Sequence, residues 1–156
     1  MMETIIKITI MLMLSVLIVS RSTGQIRNDN DFVVVGEVSS DQNMKQVQMR
    51  YAERSNVYFI NKTNENPIEQ VSLEIEGKTF DNLQIFVQST PTSLIFNDLV
   101  ITTANIADYE NSLLKWKNFI SGKVFIHCTV SLDDKSNAEM KQAFERISGM
   151  EFILTK

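Results

Sequence analysis

Apolar and polar positions alternate through the middle of this chain. Val71, Leu73 and Ile75 are separated by Ser72 and Glu74, Gly77-Lys78 turns the chain, and Leu83, Ile85 and Val87 take up the alternation again. A period of two places one set of side chains on each face of a strand. Further on, the runs SLIF and LVIT flank Asn97-Asp98. Two residues that tolerate positive φ between β-branched runs predict a hairpin. Residues 71–102 are therefore expected to hold four strands. Upstream, FVVVGEV at residues 32–38 predicts a buried strand interrupted by a glycine, and VYFI at residues 57–60 predicts another. Residues 45–53 fit a strand through Val47, Met49 and Tyr51, or a helix through Met44, Val47 and Tyr51. The strand is the reading adopted.

Residues 106–119 also admit two readings. Ile106, Tyr109, Leu113, Trp116 and Ile120 recur at helical spacing, while Leu114, Trp116 and Ile120 lead by alternation into Ser121-Gly122. Val124, Ile126, Cys128 and Val130 then alternate away from that turn, so a helical turn near Ile106 followed by a hairpin across Ser121-Gly122 is expected. Ser136 and Glu139 have the spacing of a capping box, and Met140, Ala143, Phe144 and Ile147 form one apolar helical face. Gly149 stands where such a helix would end, and EFIL adds a short terminal strand. These elements predict a mainly β fold, an antiparallel β-sandwich or twisted sheet closed by a C-terminal helix, with α+β as the alternative.

The first residues carry a different pattern. One lysine precedes ITIMLMLSVLIVS at residues 8–20, and small residues stand at Ser22 and Gly24. The run has the length of a secretory core and is short for a membrane span of about 20 residues. Residues 1–24 are therefore expected to be a signal peptide cleaved before Gln25. Residues 25–156 would then form a single β-rich domain without a transmembrane span, secreted or, in a bacterium, periplasmic. The formal charge of -4 for the full chain becomes one unit more acidic when Glu3, Lys7 and Arg21 leave. An acidic chain whose lysines are scattered argues against a nucleic-acid partner, since phosphate binding needs a concentrated basic face.

Candidate chemistry centres on GKVFIHC, which contains the only histidine and the only cysteine, His127 and Cys128. Neighbours in a strand point to opposite faces, so this pair is not expected to act as nucleophile and base. A phosphatase-type loop fails as well, because the position six residues after Cys128 is Asp134 rather than arginine, and the acids there repel phosphate. Cys128 continues the face of Val124 and Ile126 and is expected to be a structural thiol. No nucleophile elbow, glycine-rich phosphate loop or zinc-binding helix motif is present. Asp29, Asp31, Asp133 and Asp134 are too sparse for a calcium loop. No catalytic, metal or cofactor-binding residue is therefore assigned. NKT at residues 61–63 forms an N-glycosylation sequon in a turn cluster, which makes Asn61 the candidate modification site in a eukaryotic source.

Three stretches, VVVG at residues 33–36, TFDNLQIF at residues 79–86 and LKWKNFISGKVFI at residues 114–126, resemble the insect multiprotein bridging factor 2 family, also seen as salivary secreted peptides. The chain lacks that family's glycine-rich centre and carries additional sequence after Asp133. The resemblance implies a secreted, non-enzymatic, β-rich domain and supplies no site residues. The functional expectation is a small secreted binding or interaction protein whose protein or small-molecule partner is unknown. The alternatives are an extracytoplasmic hydrolase using unassigned carboxylates, or a bacterial envelope or assembly component.

Overall fold

A computed structural model describes residues 30–36, 56–61 and 66–156. The expected signal peptide and the segment at residues 45–53 lie outside the described residues. In chain order the elements are β1 (Phe32–Val35), β2 (Val57–Phe59), α1 (Pro67–Ile75), β3 (Leu83–Thr90), β4 (Ser93–Phe96) and β5 (Leu99–Ile101). A 3₁₀ turn (Ile106–Tyr109) then runs into α2 (Glu110–Trp116), followed by β6 (Val124–Cys128), α3 (Asp134–Ser148) and β7 (Phe152–Thr155).

The strands form one seven-stranded sheet. Its main body is parallel, in the order β2-β1-β3-β6-β7. β3 is long enough to serve two sets of partners. Its first part lies between β1 and β6, and its last three residues pair antiparallel with β4, which pairs in turn with β5. This α/β arrangement replaces the expected antiparallel sandwich. The physical reason lies in the connections. Helices stand between β2 and β3, between β5 and β6, and between β6 and β7. A chain that returns through a helix enters the next strand in the same direction.

Two segments expected as strands are helices. Residues 71–75 belong to α1, which starts at Pro67 and is capped by Asn66, whose Oδ1 accepts from Ile68 N–H at 2.8 Å. Proline suits a first helical position because its missing N–H would have no partner there. Ile68, Val71 and Ile75 are buried at helical spacing, while Leu73 is 53% exposed. The alternation Val71-Leu73-Ile75 thus joins two core positions to one in solvent. In α2, Leu113 and Trp116 are buried one turn apart. Trp116 Nε1 donates to Ser72 Oγ at 2.9 Å and ties α2 to α1.

The hairpin expected across Ser121-Gly122 is absent, since β6 runs parallel to β3. Gly122 instead lets two backbones approach. Its N–H donates to Asp81 O at 2.7 Å, and a Cβ there would lie 2.5 Å from both Asp81 O and Asn82 Oδ1. The hairpin at Asn97-Asp98 does form, with Phe96 opposite Leu99 and Asn97 at φ 55°. The cap of α3 lies three residues before the expected one. Asp133, not Ser136, caps it, and its Oδ1 accepts from Ser136 N–H at 2.7 Å. Gly149 ends the helix in the left-handed conformation at φ 72°, a geometry that needs no Cβ.

The main core lies between the sheet and the helices. Val34, Ile85, Ile126, Leu83, Val124 and Phe152 meet Ile68, Val71, Leu113, Trp116, Met140 and Phe144 there. Phe144 stacks on Phe152 with ring centroids 4.7 Å apart.

Candidate functional site

Parallel strands gather their carboxyl ends at one edge of a sheet, and open α/β sheets place their ligands beyond that edge. Here β6 ends at Cys128 and β7 at Thr155, and α3 starts just past the loop that follows β6. Between these ends lies a cleft of about 240 Å³, lined by Cys128, Ser131, Leu132, Asp134, Asn137, Leu154, Thr155 and Lys156. Its base is formed by Cys128, Leu132 and Leu154, which belong to or pack on the main core. The remaining lining side chains are polar and of both charges.

The loop that shapes the cleft is fixed from one side. Ser89 N–H donates to Thr129 Oγ1 at 3.0 Å, and Ser89 Oγ donates to Val130 O at 2.6 Å while accepting from Val130 N–H at 2.8 Å. Asp133 N–H donates to Pro91 O at 2.8 Å. A loop whose backbone groups are paired in this way presents its side chains in a defined arrangement.

Cys128 is 6% exposed and faces the helices. Burial pushes its thiol up to about 11, and a hydrogen bond with Ser89 offsets only part of that. A thiol in this state is protonated at neutral pH and a poor nucleophile. His127 points to the opposite face, where its ring stacks on Phe86 with centroids 4.4 Å apart. His127 Nε2 lies 2.8 Å from Gln84 Oε1, and Nδ1 lies 3.3 Å from Thr155 Oγ1. Gln84 Oε1 can only accept, so the network assigns the ring proton to Nε2, and Nδ1 accepts from the Thr155 hydroxyl. Burial lowers the imidazole pKa, which keeps the ring neutral. Gln84 Nε2 and Asn82 Nδ2 each donate at 2.9 Å to one oxygen of Asp31. Cysteine and histidine therefore stand on opposite sides of the sheet, each held by its own surroundings.

The other sequence candidates fall apart in space. Asp133 is a helix cap and Asp134 lines the cleft, so these adjacent acids have separate tasks. Asn61 is exposed and follows β2 on the opposite side of the sheet order from β7. Sequence reasoning missed Ser131, Asn137 and Lys156. The signal that could have found them is the order of apolar run, polar loop and helix cap, which marks the carboxyl end of a parallel strand. Among the described residues no group of histidine, cysteine and acidic side chains could hold a metal ion, and no helix is long and apolar enough to cross a membrane. Comparison with protein-family models, curated proteins and solved structures finds no match.

Proposed function

We propose that this chain is a secreted, non-enzymatic binding domain that takes a small polar molecule in the cleft at the ends of β6 and β7. The observation that carries this reading is the cleft itself, with an apolar base and a polar rim at the edge where such sheets bind ligands. Its volume of about 240 Å³ suits a compact ligand rather than a polymer. Export is supported by the apolar run and small residues of the first 24 positions, and the resemblance to secreted insect proteins points the same way.

The chemistry of the cleft favours binding over hydrolysis. Paired-carboxylate hydrolysis needs two acids flanking one substrate, and Asp134 is the sole carboxylate side chain lining this cleft. The buried thiol of Cys128 has no imidazole on its side of the sheet to activate it. A nucleic-acid partner is disfavoured because Lys78, Lys123 and Lys141 each lie within 4.0 Å of a glutamate.

Native mass spectrometry of protein recovered from its own secretions tests the reading. The expected result is a bound small molecule that Ser131→Trp removes without lowering the unfolding temperature. Ser131 is exposed, so the substitution obstructs the cleft with little demand on the core. A ligand-free mass from native material, or a ligand retained by Ser131→Trp, would overturn it.

A further inference from the structure

The helices α1, α2 and α3 all bury their apolar sides against one face of the sheet, among Val34, Ile85 and Ile126. The connections that carry them run one way across the strand order. α1 leads from β2 to β3, α2 leads from the β4–β5 hairpin back to β6 beside β3, and α3 leads from β6 to β7. Each joins parallel strands, each steps towards β7 and each crosses the same face, so all three crossovers have one hand. The connection from β1 to β2 steps the other way, between strands that are parallel and adjacent. Crossovers between parallel strands of a sheet share a single hand in about 98% of cases. A reversed step keeps that hand only by passing over the other face.

That other face is buried. Val33, Val35 and Phe86 form a second apolar cluster, 1%, 1% and 4% exposed, with Val57 packed beside them. The helices lie on the far side of the sheet from this cluster, and the stacked ring of His127 meets Phe86 at its β6 side. Valines at the middle of a sheet that point away from its helices lose their solvent only under a second layer. The chain leaves β1 at Gly36 and returns to β2 at Asn56. Residues 37–55 between them lie outside the described residues and exceed the dozen or so positions that such a crossover needs. Their sequence supplies an apolar side. Val47 and Tyr51 share a side at a period of two and at a period of 3.6, and Gln46 falls opposite them at both. We propose that residues 37–55 seat on this face through Val47 and Tyr51 and cover Val33, Val35 and Phe86. The outer face of β1 and β3 is then a contact of the chain with itself, not a docking surface for a second copy or a separate partner.

Photo-cross-linking in the full chain tests this. p-Benzoylphenylalanine replaces Val47, Tyr51 or Gln46, one at a time, and the dilute protein is irradiated, digested and read by mass spectrometry. The probes at 47 and 51 are expected to join peptides that contain residues 32–36 or 83–88, at the mass of a single chain. The probe at 46 is expected to give those products in several-fold lower yield. In the reciprocal variant, the same probe in place of Phe86 should capture peptides from residues 37–55. Cross-links from 47 and 51 to α1, α2 or α3 would overturn the inference, as would equal yields from 46. Products of doubled mass would overturn it in favour of a second copy on this face. A probe at 86 that captures no peptide from residues 37–55 would overturn it as well. The reading of the cleft at β6 and β7 stands or falls separately, because no cross-link in this set bears on it.

Discussion

The two faces of the parallel sheet are made from alternate residues of the same strands, yet they do different work. On the helix-covered face, Val34, Ile85, Ile126 and Leu154 stand in register across β1, β3, β6 and β7. One residue further along, the opposite face carries Val35, Phe86, His127 and Thr155 in the same register. The first row is apolar throughout and feeds the main core. The second begins apolar and turns polar towards β7, where His127 links Gln84 to Thr155 and Asp31 anchors Gln84. Strands of a parallel sheet are usually apolar on both faces. Here a satisfied chain of hydrogen bonds lets polar groups occupy one face, at little net cost because each group finds a partner.

The largest loss of stability is expected on the helix side. Phe144 is 1% exposed and stacked on Phe152. Phe144→Ala is expected to destabilise the fold by about 3–5 kcal/mol, the range for truncating a buried aromatic. Denaturant unfolding would read this as a large fall in midpoint. On the other face, His127→Ala removes the stack on Phe86 and leaves Gln84 Oε1 without its donor. The expected loss is about 1–2 kcal/mol, the cost of an unsatisfied, partly buried acceptor. Equal losses in the two variants would mean that the polar face contributes as much to stability as the helix face.

This division also explains what the sequence made legible. The polar residues at Gln84 and His127 give β3 and β6 a period of two, which is the signature of a half-exposed antiparallel strand. The pattern located the strands and the inward set, Leu83, Ile85, Val87, Val124 and Ile126, but it could not give their direction. Direction is decided by the connections, and α1 and α2 were hidden by Leu73 and Ile120, apolar residues that happened to extend an alternation. The helix α3 was legible through Phe144 and Gly149, whose spacing and conformation leave little choice. The cleft was not legible, because Cys128, Asn137 and Lys156 meet only once β6, α3 and β7 are placed side by side.

The smallest expected effect uses the adjacent pair that faces both ways. Burial lowers the His127 pKa and raises that of Cys128 to about 11 from an ordinary value of 9.0. For His127 the unfolded chain binds a proton that the folded chain refuses. Its contribution is therefore fully present above the ordinary histidine value of about 6.5 and falls as pH drops from there towards the lowered value. For Cys128 the folded chain keeps a proton that the unfolded chain gives up. Its contribution is fully present below pH 9 and falls as pH rises towards 11, by about 1 kcal/mol at pH 10. Denaturant midpoints measured at pH 5.5, 7.5 and 10 in the parent, His127→Gln and Cys128→Ala separate these limbs from other titrations. Removing the histidine should flatten only the acid limb, and removing the cysteine only the alkaline one. A histidine variant that altered the alkaline limb would show that the two faces are coupled through the strand they share, and that the sheet does not insulate one set of side chains from the other.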